Sequence, residues 1–402
     1  MTDVREIPGG VTAPHGFSAA GVAAGIKNGK KDVALLFSHR PASAAGVFTT
    51  NRVRAAPVLV TMRHLEDGMA RAVVVNSGNA NACNGPQGPG DAEDMAAEAG
   101  RRLNIPGDQV LVASTGVIGK PMPMDKVIEG IRRASAELDP RGGARAAAAI
   151  MTTDLFTKEA AVTVELDGCT VAVGGMAKGS GMIHPDMATM LGFVTTDAAI
   201  APGLLKSALA RVVERTFNMI TVDGDTSTND MVVVLANGAA GNPLLESEGP
   251  AYTAFCAALE KVCRKLAVAI ARDGEGATKL LEVRVRGAAT GRDARLAAKA
   301  VASSSLVKSA VFGEDANWGR VLCAAGYSGA AFNPGAVDIY VGDVKVAENG
   351  GALPFDEAAA SRVLGQKEVV FTIDFQQGSG VATAWGCDLT YDYVRINGSY
   401  RT

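Results

Sequence analysis

Aromatic residues are scarce in this sequence, with two Trp, six Tyr and twelve Phe in 402 residues. Charge of either sign is nearly balanced: 39 Lys+Arg against 42 Asp+Glu leave a net charge of -3. Without a basic stripe or an aromatic stacking platform, no nucleic-acid partner is expected. Long hydrophobic runs are also missing, and none reaches the roughly 18–20 apolar residues that span a bilayer. The first ten residues, MTDVREIPGG, lack a basic stretch followed by an apolar one, so no membrane partner and a cytoplasmic location are expected. The six cysteines show no C-x-x-C spacing, which reads as dispersed, buried or half-buried thiols of a reducing compartment. Four histidines without H-x-x-x-H spacing give no expectation of a metal site. What the chain has in quantity is glycine, 47 residues, which suits an α/β enzyme with many tight turns.

Hydrophobic periodicity places the main elements. Val33–Phe37, 47–60 with a polar insert, Val73–Val75, Val110–Val112, 165–174 and 191–196 read as strands. Met95, Ala99 and Leu103 mark a helix for which Asp91 is the expected N-cap. Further helices are expected over 124–138, over 144–150, from Pro202, over roughly 252–271 and in the Ala-rich stretch that ends at Val301. From Leu281 the pattern turns to strict alternation, and Gly342–Asp343 signals a hairpin. A boundary near 280 is expected, with a catalytic domain over 1–280 and a smaller α+β domain over 281–402.

The stretch MAKGSGMIHPDMATML, 176–191, lies between two β-prone runs. Thr189 would present its hydroxyl at a strand edge beside a loop, where function concentrates. A threonine hydroxyl is a poor nucleophile without a base. Cleavage of the Ala188–Thr189 bond would supply one, because the freed α-amine has an ordinary pKa of about 8. The same hydroxyl could make the cut by an N→O acyl shift. Taken from composition alone, the plainer reading is a β-branched strand residue. Thr115 and Gly116 in STGVIG stand at a strand end, where a hydroxyl and an unshielded N–H could hold an oxyanion; the pair is equally an ordinary turn. Lys178, set among glycines, suits an anionic substrate, although no phosphate-binding G-x-x-x-x-G-K-[ST] is present. Glu275 in DGEG could bind an ammonium or be a solvated turn. The NSGNANACNG stretch is either an ordinary loop or the lining of a polar pocket. His184 and Asp186 are given no catalytic role.

Read together, NSGNANAC, STGVIG, MTTD, MAKGSGMIHPDMATML, TVDGDTSTNDM, RDGEGATK, FGEDANWGR and INGSY resemble one family in order along the chain. It is the glutamate N-acetyltransferases, also called ornithine acetyltransferases, of arginine biosynthesis. The resemblance reverses the plain reading of Thr189. It implies self-cleavage between Ala188 and Thr189 into an α chain (1–188) and a β chain (189–402), assembled as an α2β2 heterotetramer. It implies acetyl transfer from N-acetylornithine to glutamate through an acetyl-Thr189 intermediate. Thr115 and Gly116 would form the oxyanion hole. Thr152 (favoured over Thr153), Lys178, Thr189, Glu275, Asn397 and Thr402 would contact substrate. No resident cofactor is implied; acetyl-CoA is a second donor in bifunctional members. The implied fold is a four-layer αββα sandwich, related in chemistry to N-terminal-nucleophile hydrolases but different in topology. A self-processed N-terminal-threonine aminopeptidase or amidase is the competing reading.

Overall fold

A computed structural model describes residues 3–184 and 190–399. Ala188, Thr189 and Thr402 therefore lie outside the described residues.

The first part of the chain forms β1 (Arg5–Ile7), β2 (Phe17–Val22), β3 (Val33–Phe48), α1 (Ala56–His64), β4 (Met69–Asn79), α2 (Gln87–Leu103), β5 (Val110–Val117), α3 (Met124–Ala136), α4 (Gly143–Ile150), β6 (Lys158–Leu166), β7 (Cys169–Lys178), β8 (Leu191–Thr196), α5 (Pro202–Arg215), β9 (Met231–Ala236) and α6 (Pro250–Arg272). Then come β10 (Leu280–Ala288), α7 (Gly291–Ser303), α8 (Ser305–Phe312), α9 (Trp318–Gly326), β11 (Asp338–Val341), β12 (Val344–Glu348), β13 (Gly351–Ala352), α10 (Glu357–Leu364), β14 (Glu368–Asp374), β15 (Gly380–Cys387) and α11 (Tyr391–Ser399).

Strands β1–β9 make one sheet, in the order β1-β6-β7-β8-β9-β3-β4-β5 with β2 beside β3. The long β3 serves both halves. Its start pairs with β2 and β4, its end pairs with β9, and a register shift between Phe37 and Ala42 bends it in the middle. The sheet thus folds over on itself, and strand alternation sorts the side chains. Val73, Val75, Leu111 and Ala113 from one half meet Phe193, Met231 and Val233 from the other in an inner core. The opposite faces pack outward: Ala72, Val74 and Val112 against Met95, Ala99, Val127 and Ile131 of α2 and α3, and Val232 and Val234 against Leu205, Leu209, Phe255 and Leu259 of α5 and α6. The result is helix, strand, strand, helix: four layers of a mixed α/β fold. A second sheet, β13-β12-β11-β14-β10-β15, starts at Leu280.

Four local expectations need correction. The strand read over 47–60 stops at Phe48, and Val58–Val60 lies in α1. Pro57 fits the first turn of a helix. Thr61 Oγ1 then donates to the Val112 carbonyl at 2.7 Å, docking α1 on β5 against its β-branched propensity. The run over 165–174 is a hairpin: Asp167 and Gly168, at φ of 50° and 82°, turn β6 into β7. Asp91 does not cap α2, which begins at Gln87 and buries Asp91 inside it. Cys83 and Cys323 are exposed rather than buried.

Glu98 fastens α2 to α3. Its buried carboxylate accepts from Arg102 Nε at 3.0 Å and Arg132 Nε at 2.9 Å, and Arg101 adds a third contact. Burial opposes the charge, but the three arginines outweigh it and hold the carboxyl down to about 2. The unfolded value is about 4.3. The stabilisation is therefore complete above about pH 4.3 and is lost as pH falls toward 2. The melting temperature of the native chain should drop across that window more steeply than that of Glu98→Gln, measured by circular dichroism.

Candidate active site

The inner core ends where β5, β7 and the start of β8 run out, and a cavity of about 350 Å³ opens there. Thr115 and Gly116 from the end of β5, Thr152 from the loop after α4, Lys178 from the end of β7 and Glu275 from the turn after α6 line it, with Asn397 of α11. These residues come from separate segments of the chain. Met190 and Leu191 line the same cavity, so it reaches the residue that follows Thr189. The described residues on either side of 185–189 are anchored. The Thr226 hydroxyl donates to the His184 carbonyl at 2.9 Å, and the Met231 N–H donates to the Met190 carbonyl at 3.0 Å.

Each half of the folded sheet contributes one part. β4 and β5 run parallel, with Gly78 opposite Gly116. Gly116 has a φ of 133°, and a Cβ on it would collide with the Gly78 backbone. Only glycine fits this position. Asn76, Ser77 and Asn79 of the NSGNANACNG stretch belong to β4 rather than to a loop and do not line the cavity; Asn76 braces it. Ser114 Oγ donates to Asn76 Oδ1 at 2.5 Å, and Asn229 Nδ2 donates to the carbonyls of Ala80 and Ser114 at 2.6 and 2.9 Å. Gly116→Ala should destabilise the chain by about 1–3 kcal/mol through backbone strain. If the Gly116 N–H holds an oxyanion, as the resemblance implies, the folded variant should also lose about 10²–10³-fold in kcat, read from steady-state kinetics.

The other half holds the charges. Lys178 Nζ donates to Thr152 Oγ1 at 2.8 Å and stands 3.8 Å from Asp154 Oδ2. Burial works against the Asp154 charge, but Lys178 and Lys158 outweigh it and hold the carboxyl well below the usual range. Lys27 Nζ reaches the Met151 carbonyl at 2.5 Å, which ties an N-terminal loop to the MTTD stretch, and burial lowers its ammonium to about 8. Glu275 is buried, and its Oε2 accepts from Asn397 Nδ2 at 2.9 Å. The Glu275 N–H donates to the Ser180 carbonyl at 2.9 Å, and a Cβ on Gly181 would strike the Glu275 carboxylate, so close approach requires glycine there. Lys178 and the Glu275 carboxyl group thus share a polar cavity whose size suits an amino acid. Thr153 also lines the cavity, but its hydroxyl meets the Ser180 hydroxyl at 2.7 Å.

The sequence reading missed Asp223, Ser227, Asn229, Asp230 and Tyr393, all on the cavity wall. Four of them belong to TVDGDTSTNDM, where the density of short polar residues before a strand was the available signal. Burial pushes the Asp223 carboxyl up, although it accepts the N–H groups of Met182 and Ile183 at 2.6 and 2.8 Å. Burial, with Asp223, Asp225 and Glu275 nearby, pushes the Tyr393 phenol well up and keeps it protonated. Among the described residues no cluster of three or more His, Cys, Asp or Glu could hold a metal ion, and no helix is long and apolar enough to cross a membrane.

A model of the ArgJ family matches residues 18–402. A protein of Symbiobacterium thermophilum named arginine biosynthesis bifunctional protein ArgJ is 64% identical over 399 residues, covering 98% of this chain and 99% of that one. The protein of the same name from Caldanaerobacter subterraneus is 54% identical over 400 residues, covering 98% and 99%. Among solved structures, a chain of arginine biosynthesis bifunctional protein argJ from Bacillus halodurans is 51% identical with a TM-score of 0.51. It covers 53% of this chain and 100% of that chain.

Proposed function

Because this chain belongs to the ArgJ family, we propose that it is an acyltransferase of arginine biosynthesis that cuts itself between Ala188 and Thr189. It then moves an acetyl group from N-acetylornithine to glutamate. The observation that carries the reading is the convergence of Thr115, Gly116, Thr152, Lys178, Glu275 and Asn397 on one cavity that Met190 also lines.

The freed Thr189 amine takes the proton from its own Oγ, which attacks the acetyl carbonyl. The Gly116 N–H and the Thr115 hydroxyl hold the oxyanion. The C–N bond breaks as the Thr189 ammonium passes that proton to the departing α-nitrogen, and ornithine leaves an acetyl ester on Thr189. The glutamate α-amine then attacks that ester, and the Oγ proton is restored. Lys178, steadied by Thr152, meets the α-carboxylate that both amino acids share. Glu275 and Asn397 meet the δ-ammonium that only ornithine carries, and Thr402 is a further substrate contact under this reading. The relatives' name includes "bifunctional", and acetyl-CoA is the second donor under this reading. The processed α and β chains pair as α2β2 in the cytoplasm, and no resident cofactor or metal is used. The solved relative covers 53% of this chain, about the share that 189–402 makes up, in keeping with a processed β chain.

Incubation of purified protein with N-acetylornithine, with and without glutamate, tests this directly. Two fragments on a denaturing gel and N-acetylglutamate formed only with glutamate are expected. Acetate release indifferent to glutamate would instead mark a hydrolase, the aminopeptidase or amidase reading.

A further inference from the structure

Thr152 follows Met151, where α4 ends and the chain turns extended at φ -64° and ψ 148°. Its hydroxyl faces Lys178, whose Nζ donates to it at 2.8 Å. The peptide unit between Met151 and Thr152 is held at both ends. The Thr152 N–H donates to Asp154 Oδ2 at 2.9 Å, and the Met151 carbonyl accepts from Lys27 Nζ at 2.5 Å. That carbonyl lies just past the C-terminus of a helix, where a cation is favoured. The Ala149 carbonyl, in the last turn of α4, is likewise taken, by Ser77 Oγ at 2.6 Å.

Lys27 is itself fixed. The fully buried Asp32 accepts the N–H groups of Ala24 at 2.5 Å, Ile26 at 2.7 Å and Lys27 at 3.0 Å, so the turn wraps around one carboxylate. The Asp32 carbonyl in turn accepts the Ser77 N–H at 2.8 Å. From that turn the Lys27 stem passes over Gly78, where a Cβ would stand 2.9 Å from Lys27 Cγ and from Ile26 Cγ2. Gly78 is the residue opposite Gly116. One half-buried side chain thus leans on the strand beside Thr115 and Gly116 and ends on the residue before Thr152. It does not line the cavity, although Asp154 and Lys178 are near enough to act on its ammonium.

We propose that Lys27 is a positioning residue of this site, setting the Thr152–Lys178 pair against the end of β5 without touching substrate. The proposal rests on the reading in which that pair meets the α-carboxylate shared by both amino acids. Without the Lys27 ammonium, the peptide before Thr152 keeps only its tether to Asp154. Lys178 then loses a partner of fixed direction, and the carboxylate meets a less ordered pair. The carboxylate takes no part in bond making, so its binding weakens alike in ground state and transition state. Such a loss falls on KM rather than on kcat.

The test is a double-mutant cycle, with KM and kcat measured for N-acetylornithine and for glutamate and each variant checked for two fragments on a denaturing gel. Lys27→Met keeps an unbranched stem beside Gly78 but has no donor for the Met151 carbonyl. Both KM values should rise about tenfold, the scale of one lost hydrogen bond, with kcat nearly unchanged. Lys27→Arg, which keeps a cationic donor, should restore most of the loss. Lys27→Gln, too short to span to Met151, stands in if Lys27→Met does not fold. Thr152→Ala should raise the same two KM values, and adding Lys27→Met to it should have little further effect, because Lys27 acts through Thr152. A lysine that merely fastens its loop to α4 would lower the melting temperature and leave both KM values native, or would add its effect in full to that of Thr152→Ala; either result overturns the positioning role. Native KM values in Thr152→Ala would overturn the substrate reading of Thr152 itself, whereas raised values there beside native values in Lys27→Met overturn only the role of Lys27.

Discussion

Thr189→Ala is expected to leave one uncut chain and no measurable acetyl transfer. Under the proposed mechanism both losses follow from the same missing oxygen, but they are separate events. Without Oγ, nothing attacks the Ala188 carbonyl, so the precursor persists on a gel. Without Oγ, there is also no atom to carry the acetyl group between the two amino acids. Removal of a covalent nucleophile costs on the order of 10⁶-fold in kcat elsewhere, and two other threonines of the cavity are already engaged: the Thr152 hydroxyl accepts from Lys178 Nζ and the Thr153 hydroxyl meets that of Ser180. Thr189→Ser keeps both the hydroxyl and the amine that cleavage frees, so it should still give two fragments and form an acetyl-enzyme detectable by intact-mass spectrometry. An uncut Thr189→Ala precursor with substantial transferase activity would show that neither the junction nor its hydroxyl matters.

The parts of this site that could be read from the sequence are those carried by short local patterns. A Thr-Gly pair closing an apolar run placed Thr115 and Gly116 at a strand end, and the structure has them among the last residues of β5. Lys178, set among glycines beyond the strand read over 165–174, falls instead at the end of β7. What failed was local too, wherever tertiary contacts overrode propensity. Val58, Leu59 and Val60 favour a strand, yet Pro57 and the docking of Thr61 on β5 make a helix. The alternation of Val162, Val164 and Leu166 changes phase at Val171 and Val173, and that break marks the Asp167–Gly168 turn inside the run read over 165–174. The αββα layering was reached through family resemblance. The bend in β3 that creates it depends on pairing with β9, nearly two hundred residues away. Lys27 could not be singled out, because its significance is a contact with Met151, 124 residues further on, rather than any spacing in its own segment.

Asp154→Ala should be the most damaging change among residues that touch no substrate. Asp154 Oδ1 accepts from Lys158 Nζ at 2.7 Å and from the Gly179 N–H at 2.7 Å, and its Oδ2 accepts the Thr152 N–H at 2.9 Å. Lys158 Nζ also donates to Asp273 Oδ2 at 2.6 Å, and all three side chains are fully buried or nearly so. Removing Asp154 leaves a buried ammonium with one carboxylate instead of two. Burial pushes the remaining Asp273 carboxyl up, with Lys158 opposing, so it is a poor substitute. Breaking a buried pair in this way costs about 3–5 kcal/mol, a large fraction of the roughly 5–15 kcal/mol that stabilises a typical domain. Asp154→Asn keeps the volume and one acceptor, and it should fold with a lower melting temperature. In that variant, Thr152 and Gly179 lose the anion that fixes their backbone, and Lys178 loses its nearby counter-charge. If Lys178 meets the shared carboxylate, KM for both N-acetylornithine and glutamate should rise together while kcat changes less. An unchanged melting temperature, with both KM values also unchanged, would show that Asp154 organises neither the core nor the cavity.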